Sequence, residues 1–98
     1  MSKPIRFSQL ALDDSIEIHD SLESFKEGLG DRFYDRLREV YDQIRRNEES
    51  FQSLNEEKNK RRAFLKLTKR LHYRIIYEIM PSYIEIQAIR STYRNVGN

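Results

Sequence analysis

The feature that most constrains this fold is a change in the spacing of apolar residues near residue 60. Before it, apolar side chains recur every three or four residues, which is the period of an amphipathic helix. After it, they alternate with polar side chains, as in a strand with one buried face. Helices and strands kept apart along the chain indicate an α+β fold. With 98 residues, the chain has room for one domain spanning residues 1–98.

The first part of the chain predicts two helices joined by a tight turn. Ser8 is a typical N-cap, because its hydroxyl can accept a hydrogen bond from the first turn. The apolar stripe of the first helix consists of Ala11, Ser15, Ile18, Leu22 and Phe25. Gly28-Leu29-Gly30 is predicted to end this helix, since Gly adopts the left-handed C-cap conformation cheaply. The second helix ends near Arg46, and its stripe consists of Leu29, Phe33, Leu37, Val40 and Ile44.

Short strands are predicted on both sides of this helical pair. One covers residues 4–7, and three more begin at residues 61, 71 and 83, with residues 55–60 as an exposed connection. Strict alternation places Ile84, Ile86 and Ala88 on one face of the last strand. The predicted order is β-α-α-β-β-β. It describes a small, antiparallel-rich sheet with an N-terminal α-hairpin packed on it.

The net charge of +2 hides an uneven distribution along the chain. Residues 1–30 and 31–57 each carry a net charge of −3, whereas residues 58–98 carry +8. The excess falls on predicted strands, where six cationic residues are candidates for one basic face: Arg62, Lys66, Arg70, Arg74, Arg90 and Arg94. Such a face suits either the phosphates of RNA or an acidic protein segment, and charge alone does not choose between them.

Several classes of site are set aside by composition. The chain has no Cys, and its two histidines, His19 and His72, lie in different predicted elements. A metal site needs three or four convergent ligands, so we expect no metal and no cofactor. His72 is the better catalytic candidate of the two, because it shares a strand face with Arg74. No apolar run approaches the length of a membrane span, so we expect no membrane partner and a cytoplasmic location.

Four stretches, in this order and spacing, make the chain resemble the RelE/ParE superfamily of bacterial type II toxins. The first is Phe7-Ser8 leading into the first helix, and the second is the helix junction Gly28-Leu29-Gly30-Asp31-Arg32-Phe33. The third is Asn47-Glu48-Glu49-Ser50-Phe51, where the family usually has Asn-Pro-x-x-Phe. The fourth is the strand region that includes Tyr73-Arg74-Ile75-Ile76-Tyr77 and ends near Arg94-Asn95. The resemblance covers nearly the whole chain and implies the family's fold, two helices on a small sheet.

The resemblance implies a toxin that arrests growth and is neutralised by a cognate antitoxin, whose often acidic segment suits the +8 region. RelE-like members cut ribosome-bound mRNA, whereas ParE-like members poison DNA gyrase and cut no RNA. The helix junction is more typical of the ParE-like side, which favours a gyrase inhibitor. A RelE-like, ribosome-dependent mRNA endonuclease is the alternative, so whether the chain is an enzyme stays open.

The resemblance also assigns roles to individual residues. In the RelE-like alternative the catalytic residues are Arg74, Arg94, Lys66 and Tyr93, whereas Arg62, Arg70 and Arg90 bind the target or the antitoxin. Many family members have a His after the last strand, where this chain has Ser91. Its loss removes an obvious general base and favours the ParE-like reading. Tyr93 replaces it only if Arg90 and Arg94 lower the pKa of its phenol.

Overall fold

The structure, a computed structural model, describes residues 3–46, 52–54 and 57–92. These residues form β1 (Ile5–Phe7), α1 (Gln9–Phe25), α2 (Leu29–Arg46), β2 (Gln52–Leu54), β3 (Glu57–Lys66), β4 (His72–Ile79) and β5 (Ile84–Ser91). The α+β class and the predicted order of elements are confirmed, with the short strand β2 in addition. Because β3 already begins at Glu57, the exposed connection predicted over residues 55–60 is wrong from residue 57 onward.

The strands form one sheet in the order β1-β5-β4-β3-β2. Strand β1 runs parallel to β5, with Ile5 opposite Ile84, and all other neighbours are antiparallel. The antiparallel-rich sheet predicted from the sequence is therefore confirmed. Residues directly opposite each other in an antiparallel pair share a face of the sheet. The register between strands consequently decides which side chains meet on each face.

Both helices cover the same face of the sheet and enclose the core with it. The predicted stripe of α2 is buried along its whole length, and Phe33 is fully inaccessible to solvent. Strand β4 contributes Tyr73, Ile75, Tyr77 and Ile79 to this core. The rings of Phe33 and Tyr73 meet with centroids 5.1 Å apart. Each such buried side chain stabilises the fold by about 1.5–3 kcal/mol.

The ends of α1 confirm one prediction and correct two. The Ala11 N–H donates to Ser8 Oγ at 3.0 Å, so Ser8 is the N-cap. The helix ends at Phe25, ahead of the glycines, and Gly28 takes a positive φ of 87° in the turn that follows. Leu29 and Gly30 belong to α2, so Gly28-Leu29-Gly30 does not close α1 as predicted. Phe25 is 80% exposed instead of buried, and it lines an open groove beside Leu22 and Leu71.

The two helices approach each other closely at Gly30. A Cβ on Gly30 would lie 2.6 Å from the backbone oxygen of His19, so only glycine fits there. Glu23 of α1 accepts hydrogen bonds from the N–H groups of Gly28 and Gly30, at 2.8 and 2.9 Å. A carboxylate from α1 thereby satisfies free donors at the N-terminus of α2, where the helix dipole favours negative charge.

Candidate functional site: the arginine face of the sheet

The sheet face turned away from the helices gathers most of the predicted site residues. Paired residues across β3 and β4 are Arg62 with Ile76, Phe64 with Arg74, and Lys66 with His72. Arg90 of β5 lies opposite Arg74. We define the arginine face as six residues: Arg62, Phe64, Lys66, His72, Arg74 and Arg90. Four are candidates from the sequence analysis, His72 was noted there, and Phe64 was missed.

Arg90 joins this face because β5 carries one extra residue. Tyr77 and Ile76 are consecutive in β4, but their partners in β5 are Ile86 and Ala88. Gln87 lies between these partners and is the additional residue. Such a β-bulge changes the alternation of side chains beyond it. Ala88 therefore lies opposite Ile76, and the prediction that it shares a face with Ile84 and Ile86 is wrong. Without the bulge, Arg90 would point to the helix side of the sheet.

The inner parts of two arginine side chains on this face are covered by protein. Among the described residues, the Nε atoms of Arg62 and Arg74 are buried and have no hydrogen-bond partner. The Arg62 guanidinium lies 5.9 Å from the ring centroid of Phe64, which is itself 56% exposed. Like charges placed directly opposite across strands, such as Arg74 and Arg90, repel each other. A bound anion would relieve this repulsion and accept from the planar arginine donors.

Asp14 is a second residue of this site that the sequence analysis missed. Aspartate is seldom fully buried unless it is paired, and Asp14 is only 8% exposed. Strand β1 ends opposite Ile86, so the Ile89 N–H beyond it has no strand partner on that edge. Asp14 Oδ2 accepts from this N–H at 2.9 Å, and Arg90 Nη1 lies 3.3 Å from both carboxylate oxygens. Asp14 thus replaces a strand partner and holds Arg90 at the edge of the arginine face.

An acidic patch bounds the arginine face on one side. Glu78 and Glu85 are paired residues on β4 and β5. Both accept from Gln87 Nε2, at 2.8 and 3.0 Å. Carboxylates at this place repel an anion, so the cationic part of the face lies toward Lys66 and His72. This boundary would fix where a ligand with several negative charges lies along the strands, because its charges would avoid the two carboxylates.

Among the described residues, one further predicted site residue lies off this face. Arg70 is exposed in the turn between β3 and β4. Tyr93 and Arg94 lie outside the described residues. Ser91 lies opposite Tyr73, on the helix side, and lines a groove with Ile18 and Leu22 of α1. The position where many RelE/ParE members carry a His is therefore turned away from the arginine face in this chain.

Comparison with known proteins decides the family. The family model described as ParE toxin of type II toxin-antitoxin system, parDE, matches residues 5–96. This chain belongs to the ParE toxin family. The ParE-family fold is also found in solved structures. A chain from the chromosomal ParDE toxin-antitoxin system of P. aeruginosa is similar with a TM-score of 0.61 at 12% identity, covering 92% of this chain and 96% of that one.

A second solved structure has the same fold. A chain of the E. coli DinJ-YafQ toxin-antitoxin complex is similar with a TM-score of 0.58 at 11% identity, covering 93% of each chain. No curated protein sequence matches the chain significantly. Within the described ranges, neither helix of this ParE-family chain is long and apolar enough to cross a membrane. The resemblance stated from the sequence is confirmed on its ParE-like side.

Proposed function

We propose that this ParE-family toxin arrests growth by binding DNA gyrase through its arginine face, without cutting RNA. The observation that carries the proposal is the ParE family match, which extends over nearly the whole chain. The arginine face adds a physical reason, because Arg74 and Arg90 lie directly opposite each other on β4 and β5, and this concentration of positive charge favours binding of an acidic surface. We further propose a cytoplasmic location and a cognate antitoxin, whose acidic segment would neutralise the +8 region.

The geometry also gives a reason to test the RelE-like alternative. His72 and Arg74 share the arginine face and lie two residues apart, which is about 7 Å along a strand. A base and a cation at this spacing can bracket a phosphodiester, with Lys66 paired beside His72. Against this role, no described side chain donates to or accepts from the His72 ring, whereas catalytic histidines are normally held by a second group. Ser91, which faces the groove, supplies no base to this face either.

The test compares gyrase inhibition with RNA cleavage for the same proteins. Purified full-length chain is titrated into a gyrase supercoiling assay, and mRNA 5′ ends are mapped in cells minutes after induction. The test variant is Arg74→Ala with Arg90→Ala. The matched control is Arg38→Ala with Arg45→Ala, which removes the same charge from exposed positions on α2.

We expect the wild type and the control variant to inhibit gyrase at the same concentration. The test variant should require a concentration at least about tenfold higher for the same inhibition. No new RNA ends should appear with any of the three proteins. Inhibition by the test variant at the wild-type concentration would remove the arginine face from the proposal. New ends inside translated codons that disappear in His72→Gln would establish the RelE-like alternative. Absence of both activities, with the chain folded, would overturn both target assignments.

A further inference from the structure

A cluster at the α1–α2 junction has ligand chemistry that the toxin function does not use. It contains His19 and Glu23, one turn apart on α1, and Asp31 in the first turn of α2. One ligand atom from each residue lies within 4.8 Å of the others. The close approach at Gly30 brings them together, because the absent Cβ lets the start of α2 pack against His19 and Glu23. The cluster lies on the helix side of the sheet, apart from the arginine face.

The imidazole of His19 faces a carboxylate at each of its nitrogens. Nδ1 lies 3.0 Å from Asp20 Oδ1, and Nε2 lies 3.1 Å from Asp31 Oδ1. Ionised carboxylates only accept hydrogen bonds, so a neutral ring can satisfy one of these contacts with its single N–H. The other contact then requires a positive charge between nitrogen and oxygen, which either a second proton or a metal ion supplies.

The surrounding groups orient two of the three ligands, His19 and Glu23. In the tautomer in which Nδ1–H donates to Asp20, Nε2 is left for an ion, which is the usual arrangement of a metal-binding histidine with a carboxylate behind it. The Tyr34 ring stacks on the His19 ring with centroids 4.3 Å apart. The backbone N–H groups of Gly28 and Gly30 orient the Glu23 carboxylate, each donating to one of its two oxygens. Each of these oxygens keeps a further lone pair that can bind an ion.

We propose that His19, Glu23 and Asp31 bind a divalent transition-metal ion of the Zn²⁺ type and thereby join α1 to α2. Ligands about 2.1 Å from such an ion lie roughly 3.0–3.5 Å from each other, which matches the 3.1 Å between Nε2 and Asp31 Oδ1. Asp31, whose side chain is 77% exposed, is free to close the longer separations. One nitrogen and two carboxylates leave a coordination position for water, so we expect moderate affinity and a stabilising role.

The experiment is a calorimetric titration of untagged, full-length chain with ZnCl₂ after treatment with a chelator. Thermal unfolding is recorded with and without ZnCl₂, since an ion that binds only the folded state raises the Tm. The chain has two histidines, which provides a matched pair of variants. His19→Gln removes the proposed ligand, and His72→Gln removes the other imidazole. Asp31→Asn is the second test variant, because Asp31 is exposed and does not bond the backbone at the start of α2.

We expect one Zn²⁺ per chain for the wild type and for His72→Gln, with a raised Tm in both. Binding should weaken at least about tenfold in His19→Gln and in Asp31→Asn. If His19→Gln does not fold by circular dichroism, Asp31→Asn decides the outcome. The proposal would be overturned if the folded test variants bound Zn²⁺ as tightly as the wild type, or if His72→Gln lost binding. It would also be overturned if the wild type gave no heat of binding and no Tm shift at millimolar ZnCl₂.

Discussion

Replacing Asp14 tests whether one buried carboxylate holds the end of β5 in place. In Asp14→Ala the Ile89 N–H loses its acceptor while it stays buried, which costs about 1–3 kcal/mol. The contact with Arg90 adds only about 0–1 kcal/mol, because the arginine side chain is 48% exposed and its charge is screened by water. We therefore expect the free energy of unfolding to fall by about 2 kcal/mol, which lowers the Tm by roughly 8–16 °C.

Asp14→Asn separates the two contributions. The amide oxygen can still accept from the Ile89 N–H, but the attraction to Arg90 is lost, and the hydrogen bond is no longer strengthened by charge. We expect it to lose about half as much stability as Asp14→Ala, so roughly 1 kcal/mol. Asp13→Ala is the matched control, because Asp13 is exposed and bonds only the Gln9 side chain.

Urea unfolding followed by far-ultraviolet circular dichroism measures all three variants on the same scale. Asp13→Ala should remain within about 0.5 kcal/mol of the wild type. If Asp14→Ala also stays within that range, then the Asp14 carboxylate does not stabilise the β5 edge. If Asp14→Asn loses as much as Asp14→Ala, then charge, and not the bond to Ile89, carries the effect. Either result would refute the assignment of Asp14 as the partner of the Ile89 N–H.

Three further predictions concern the helix junction, the aromatic core and the arginine face. Gly30→Ala should lower the free energy of unfolding by about 1–3 kcal/mol, because the new Cβ would meet the His19 backbone. Gly28→Ala should lower it by about 1 kcal/mol, because the site has open space but a positive φ. Urea unfolding that finds Gly28→Ala the more destabilising of the two would contradict this. Burial raises the pKa of the Tyr41 phenol above its ordinary value near 10. The contribution of Tyr41 to the free energy of unfolding is therefore constant below about pH 10 and is lost as the pH rises from there toward the pKa of the folded state. Unfolding midpoints measured against pH should show this loss, and Tyr41→Phe should reduce it. Phe64→Ala should leave the free energy of unfolding within about 0.5 kcal/mol and weaken gyrase inhibition, and unchanged inhibition would place the ring outside the contact.

Much of the fold follows from the sequence because its signals are local. The stripe of α2 from Leu29 to Ile44 is buried as its spacing predicts, since a helix of fixed period needs no partner to define its faces. The Ser8 N-cap is equally local, because its bond to Ala11 spans one turn. The order and spacing of the helix junction and strand motifs were also sufficient to identify the superfamily.

The composition of the candidate site was decided only by tertiary structure. Arg90 reaches the face of Arg74 because one extra residue, Gln87, is accommodated in β5, and strict alternation along that strand predicts the opposite face. Asp14 bonds Ile89 across 75 positions of sequence, and no local pattern marks that pairing. The Asp14 contact depends on the Ile89 N–H, which remains without a strand partner where β1 ends. A sequence carries the period of each element, but the register between strands and the partners at a sheet edge arise from the competition of contacts in the assembled fold.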